Sequence, residues 1–169
     1  MQLVHSDDIN LTLTADNWIF GLDLDPDQIE KNLIETMIAS NGIGLAANQV
    51  GILKRVFSIK LQNHSDIKTP LAMFNPSVIS QSSDEELGEE GCLSFPDLYL
   101  SVKRPKTIEA EYFDKYGKQC IITLSGIDAR CFLHELDHLN GVCFTDKVSK
   151  LKLELALKKQ RKLNGRTKR

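Results

Sequence analysis

Apolar residues first fall into step at Ile29, Leu33, Met37 and Ile38, one stripe of a helix. Asp25 can serve as its N-cap, Pro26 takes the first helical position, and Gln28 can reach back to the cap. Asn41-Gly42 supplies the stop, so the spacing predicts a helix over 26–40. The period then shortens. Residues 56–59, 71–74, 78–79, 99–102, 107–113 and 119–124 are short apolar or alternating runs and read as strands. Asp114-Lys115-Tyr116-Gly117 turns the last two into a hairpin, and 62–69 and 81–86 read as polar loops.

Helical spacing returns at Ser125. Ser125 and Asp128 resemble a capping box, and Gly141 stops the helix after Asn140. Ile127, Cys131, His134 and His138 share one face, which reads as otherwise apolar. In the tail, Leu151, Leu153, Leu155 and Leu157 alternate as in a strand. The surrounding Lys, Glu, Ala, Gln and Arg residues favour helix, and helix is the reading taken. Residues 1–24 carry little pattern. The whole reads as an α+β fold in one domain, 1–169. Short antiparallel or mixed sheets pack around the second helix, with an N-terminal helix before them and a basic helix at the end.

Composition narrows the class. A chain of 169 residues with 41 % apolar content can bury one core. No apolar run approaches the length of a membrane span, and the first eight residues lack the layout of a signal or transit peptide. The expectation is a cytoplasmic monomer with no membrane partner. Cys92, Cys120, Cys131 and Cys143 do not suggest a disulfide framework; they read as buried thiols or metal ligands. Residues 147–169 hold ten Lys/Arg and only Glu154 as an acid, on an otherwise acidic body. Such a tail suits a polyanionic partner, or is simply solvated.

The chemistry centres on His134-Glu135-Leu136-Asp137-His138. On a helix, residues four apart stack, so the two imidazoles can share one divalent ion while Glu135 handles the proton of an activated water. A catalytic metal site needs a third protein ligand. Asp146 and Glu154 would make it a carboxylate site, Cys131 lies one turn before His134, and Cys92 follows a glycine that lets the backbone bend close. Gly42-Ile43-Gly44 follows a helix rather than a strand, which removes a dinucleotide-binding reading. Gln49, polar within an apolar stretch, is either a satisfied amide or a site group.

Three segments together resemble the peptide deformylase family. They are Gly42-Ile43-Gly44-Leu45-Ala46-Ala47-Asn48-Gln49, Glu90-Gly91-Cys92-Leu93-Ser94, and His134-Glu135-Leu136-Asp137-His138-Leu139-Asn140-Gly141. The resemblance implies metal ligands at Cys92, His134 and His138, and a general base at Glu135. It implies oxyanion donors at the Gln49 amide and the Leu93 N–H. Ile43 and Gly44 would pair with the substrate backbone, and Ile43, Ile127 and Cys131 would line a methionine pocket. It further implies Fe(II) as native metal, with Zn(II), Ni(II) or Co(II) as alternatives. The substrate would be nascent formylmethionyl peptides. The ribosome surface would be met through Lys150, Lys158, Lys159, Arg161, Lys162, Arg166, Lys168 and Arg169. The opening His5-Ser6-Asp7-Asp8-Ile9-Asn10-Leu11 departs from the family pattern. Two rivals stand beside this reading: an H-E-x-x-H endopeptidase with a carboxylate third ligand, and a non-catalytic ribosome-binding protein with a structural metal.

Overall fold

Among the described residues there are three α-helices, all expected, and seven strands, of which the strand at 44–46 and the strand at 85–92 were not. The computed structural model describes residues 1–166, with side chains through Lys162, so Lys168 and Arg169 lie outside the described residues. Helix α1 (Pro26–Ala39) begins as expected: the Asp25 carboxylate accepts the Asp27 N–H. Gln28 instead bonds Asn32 along the helix. Ile29, Leu33 and Met37 are buried, but Ile38 is 54 % exposed. The stripe's fourth place goes to Thr36, whose hydroxyl is satisfied by the Asn32 carbonyl and so can be buried. Asn41, with φ of 57°, supplies the left-handed residue that ends the helix.

The strands are β1 (Gly44–Ala46), β2 (Val56–Ile59), β3 (Leu71–Gln81), β4 (Glu85–Cys92), β5 (Phe95–Pro105), β6 (Thr107–Phe113) and β7 (Gln119–Ser125). They form a five-stranded sheet in the order β1-β2-β3-β6-β7 and a separate β4-β5 ribbon, with antiparallel pairing throughout. The two runs expected at 71–74 and 78–79 are one strand. Register shifts near Pro76 let β3 continue past a residue that cannot donate to the ladder. Strand β4 is new: its exposed Glu85, Glu86 and Glu89 hide it in a stretch that reads as loop.

The large sheet is covered on both faces. Helix α1 packs Ile29, Leu33 and Met37 with Trp18, Leu45, Val56, Ala72 and Phe74. Helix α2 (Gly126–Leu139) packs Ala129, Phe132 and Leu139 with Phe57, Ile59, Met73, Ile108 and Leu124. Phe132 meets Phe57 edge-on at 5.2 Å. The β4-β5 ribbon has its own apolar cluster. Leu98, Leu100, Val102 and Phe144 are covered by Leu153, Ala156 and Leu157 of α3 (Lys150–Arg166). The alternating leucines thus resolve into a helix with Leu153 and Leu157 inward and Leu151 and Leu155 exposed.

Two local expectations fail for tertiary reasons. Ser125 precedes α2 without a side-chain cap bond. Asp128, its expected capping partner, accepts the Gln62 and Asn63 N–H groups at 2.6 and 2.9 Å and anchors the loop after β2. The face of α2 is not otherwise apolar either: Arg130 lies on it and is 6 % exposed. No described helix is long and apolar enough to cross a membrane.

Candidate active site

Helix α2 runs between the two sheets and carries His134 and His138 one turn apart, their rings 4.9 Å from centre to centre. Cys92 arrives from the end of β4, at a register shift just before a two-residue turn through Leu93 and Ser94. Cys92 Sγ is 3.2 Å from His138 Nε2, and the ligand atoms of Cys92, His134 and His138 all lie within 4.8 Å of one another. Asp146 and Glu154 are not in this group; Asp146 accepts the Cys143 N–H at 2.9 Å. Cys131 is also outside it, and burial pushes its thiol well up, so it stays protonated. Gly91 stands at this register shift, where β4 departs from regular pairing. A side chain there would come 2.8 Å from the Tyr99 ring.

The donor set fits a divalent ion. Tetrahedral sites with one sulfur and two imidazole nitrogens place their ligand atoms about 3.5 Å apart, close to the Cys92–His138 separation. The tautomer of His134 is also fixed. Its Nδ1 lies 3.0 Å from Glu90 Oε2, so Nδ1 carries the proton and Nε2 is left as the ligand atom. Glu90 in turn takes Arg104 Nε at 2.9 Å and Nη2 at 3.0 Å, and Arg130 Nη1 at 2.9 Å. Arg104 continues to Asp137, which Lys147 reaches from the other side at 2.9 Å.

These contacts set the charges. Burial opposes ionisation of Glu90, yet hydrogen bonds from Arg104 and His134 hold its carboxyl at about 2. Burial works against a charged imidazole at both histidines. At His134 the Cys92 and Glu90 partners prevail and raise it to about 10, so an ion bound at Nε2 would displace a proton from that nitrogen while Nδ1 kept its own. At His138 burial and the His134 charge push it well down.

Glu135 sits beside His134, 4 % exposed, with Oε2 free of any partner. Burial raises its carboxyl to about 7. The two glycines of the first motif make room for this site. A methyl on Gly44 would overlap the Glu135 carboxylate and lie 2.8 Å from Cys131 Sγ; one on Gly42 would lie 2.8 Å from Leu93 Cδ1. Gln49 is 1 % exposed. Its Oε1 accepts the Ala46 N–H at 2.9 Å, which turns Nε2 toward Cys92 Sγ and Ser94 Oγ, both at 3.3 Å. The Leu93 N–H donates to no protein acceptor among the described residues.

Part of this arrangement faces one cleft of about 530 Å³. Gln49, Cys92, Leu93, His134 and Glu135 line it, as do the expected pocket residues Ile43, Gly44, Ile127 and Cys131. The sequence reading missed Glu90, Arg104, Arg130 and Asp137 as a linked group. The signal available was Glu90 two residues before Cys92 and Asp137 between the histidines; their partners come from β5 and α2 and have no spacing signature.

A buried carboxylate and a thiolate-imidazole donor set in one cleft define a metal-dependent hydrolase. A sequence model of the polypeptide deformylase family matches residues 2–154. The chain is 41 % identical over 138 residues to the peptide deformylase of Rhizobium meliloti (strain 1021), covering 82 % of this chain and 79 % of that one. It is 47 % identical over 133 residues to the peptide deformylase of Prochlorococcus marinus (strain NATL1A), covering 79 % of this chain but 64 % of that protein. Its structure resembles that of a Synechococcus elongatus peptide deformylase solved with actinonin. There the TM-score is 0.84 at 39 % identity, over 94 % of this chain and 85 % of that one. The chain belongs to the polypeptide deformylase family.

Proposed function

We propose that residues 1–169 act as one domain that hydrolyses the formyl group from the N-terminal formylmethionine of nascent polypeptides, releasing formate. The observation that carries this is the buried Glu135 carboxylate, its Oε2 unpartnered, beside the clustered Cys92-His134-His138 donors and the aimed Gln49 amide. Cys92, His134 and His138 would hold a divalent ion, which would supply Lewis acidity toward water and the formyl carbonyl. Thiolate and imidazole together suit Fe(II), the native metal in this reading, as well as Zn(II), Ni(II) and Co(II).

The protein groups do the rest. Glu135 takes a proton from water as the water oxygen attacks the formyl carbon. Its raised pKa keeps it near the balance point between accepting and returning that proton. Gln49 Nε2 and the Leu93 N–H donate to the formyl oxygen as it becomes negative, each worth about 3 kcal/mol. Glu135 then gives its proton to the leaving nitrogen and the C–N bond breaks. Because β1 is the outer strand of its sheet, the backbone at Ile43 and Gly44 has an edge on which an extended peptide can add as a strand. Ile43, Ile127 and Cys131 receive the first side chain.

Glu90 is a positioning residue, holding His134 by Nδ1. The exposed cations Lys150, Lys158, Lys159, Arg161 and Lys162 of α3 offer a face for the phosphates of the ribosome, in line with a substrate that emerges there. The test of the reaction is formate release from a short formylmethionyl peptide by the metal-loaded protein. Release that a chelator abolishes is expected; no release from any metal form overturns the reading.

A further inference from the structure

The two histidines of the donor set are held in different ways. His134 is held by its ring, through the Nδ1 contact with Glu90 at 3.0 Å. His138 is 1 % exposed, and its Nδ1 is buried with no hydrogen-bond partner among the described residues. Its Nε2 lies 3.2 Å from Cys92 Sγ, so Nε2 is the ligand atom. The place of this ring is therefore set by packing and by the backbone that carries it.

That backbone is the last turn of α2, where carbonyls run out of partners within the helix. The His138 carbonyl accepts the Gly141 N–H at 3.0 Å. It also accepts Asn48 Nδ2 at 2.5 Å, from a residue 90 positions away in the chain. Asn48 is fully buried, in a short 3-10 turn over Ala47–Val50, immediately before Gln49. Its Nδ2 donates as well to the Asn10 carbonyl at 3.2 Å. Both amide hydrogens are thus spent on carbonyls, which fixes the orientation of the amide. Asn10 belongs to the opening segment that departs from the family pattern. Nearby, the Val4 N–H donates to the Gln49 carbonyl at 2.9 Å.

We propose that Asn48 is a positioning residue for the metal site. Through the His138 carbonyl it holds the one histidine whose ring has no hydrogen-bonded support, with the Asn10 carbonyl as its brace. The proposal rests on the reading that Cys92, His134 and His138 bind a divalent ion. The site then has two supports of different kinds: Glu90 at the ring of one histidine and Asn48 at the backbone of the other. Because Asn48 adjoins Gln49, the same bond ties the segment carrying the oxyanion donor to the helix carrying two of the ligands.

The experiment reads metal binding and not turnover. Co(II)-loaded wild type and Asn48→Leu, a change of similar volume that keeps no donor, are titrated with a chelator of known affinity. The visible Co(II) absorption is followed, and circular dichroism reports whether the chain stays folded. Asn48→Leu is expected to hold Co(II) about ten- to a hundredfold more weakly while still folded, with a changed absorption band; this is the usual scale for losing a residue that orients a ligand. A merely structural asparagine would lower thermal stability and leave the affinity and band of the folded chain unchanged, which overturns the proposal. Should Asn48→Leu fail to fold, Asn48→Ala removes the same donors with less bulk. The same loss of affinity supports the proposal, and an unchanged affinity overturns it. No substrate is present, so the outcome does not depend on deformylation. Wild type that binds Co(II) but releases no formate fails the deformylase reading, and the affinity ratio still decides on Asn48. Wild type that holds no Co(II) overturns the metal reading and this proposal with it.

Discussion

Glu135 owes its chemistry to its surroundings. A carboxylate in water is a weak base at neutral pH, but burial raises this one to about 7 and no other group occupies its Oε2. Glu135→Ala is expected to fold and hold metal while kcat falls by a factor of about 10² to 10⁴. Metal content and formate release, measured on the same preparation, check this; an active variant removes Glu135 from its role. The thiols separate as cleanly. Cys92 Sγ is among the clustered donors and Cys131 Sγ is not. Cys92→Ser is therefore expected to lose its metal and Cys131→Ser to keep it, read out by metal analysis after dialysis. At this scale the sequence was legible where function demands a residue type at fixed local spacing, as in His134 and His138. Spacing alone left Asp146, Glu154 and Cys131 open as the third donor; the family resemblance implied Cys92, and the contact geometry groups Cys92 with the two histidines.

Each element of the site lends a different property. Helix α2 supplies the spacing of the ligands, the β4-β5 turn brings Cys92 to them, and β1 brings a backbone without side-chain bulk. That last property is testable at Gly44. A methyl group there would overlap the Glu135 carboxylate, so Gly44→Ala must displace the base or the strand. Its kcat/KM is expected to fall about a hundredfold, the scale of a catalytic group misplaced by an ångström. Undiminished activity would show that the close approach carries no catalytic weight. Helix α1, β2 and β6 were read correctly because their periodicity is simple and both ends carry turn chemistry. Strand β4 was not, because one face of the ribbon is solvated and acidic and its ladder partner, β5, lies beyond a turn. The expected cap at Asp128 failed because a loop 65 residues away took the carboxylate first.

Across the molecule, a chain of ion pairs ties the β4-β5 ribbon to α2: Arg130 and Arg104 to Glu90, then Arg104 to Asp137 and on to Lys147. Folding lowers the Glu90 carboxyl from 4.5 to about 2. A carboxyl lowered on folding adds stability above its unfolded pKa and loses it as the pH falls through the folded value. The protein is therefore expected to lose stability as the pH drops from about 4.5 toward about 2. The acid limb should be shallower in Glu90→Gln, followed by urea unfolding across that range. Helix α3 faces outward with its cations, so association with ribosomes should weaken steeply between low and moderate salt. Truncation after Lys158 should abolish that association in co-sedimentation. Unchanged sedimentation would mark the tail as solvated.

By itself, the sequence determined which segments are helix and where the candidate metal-ligating and proton-handling groups lie along the chain. Those properties are local: they follow from side chains a few residues apart on one backbone period. Only the tertiary structure decided that Cys92 meets the two histidines, that Glu90 fixes the His134 tautomer, that Gly42 and Gly44 clear space for Leu93 and Glu135, and that Asn48 reaches the His138 carbonyl. These depend on segments more than forty residues apart meeting within a few ångströms. Burial and hydrogen bonding at such a meeting point set each group's charge and reach, and no local pattern in the chain encodes them.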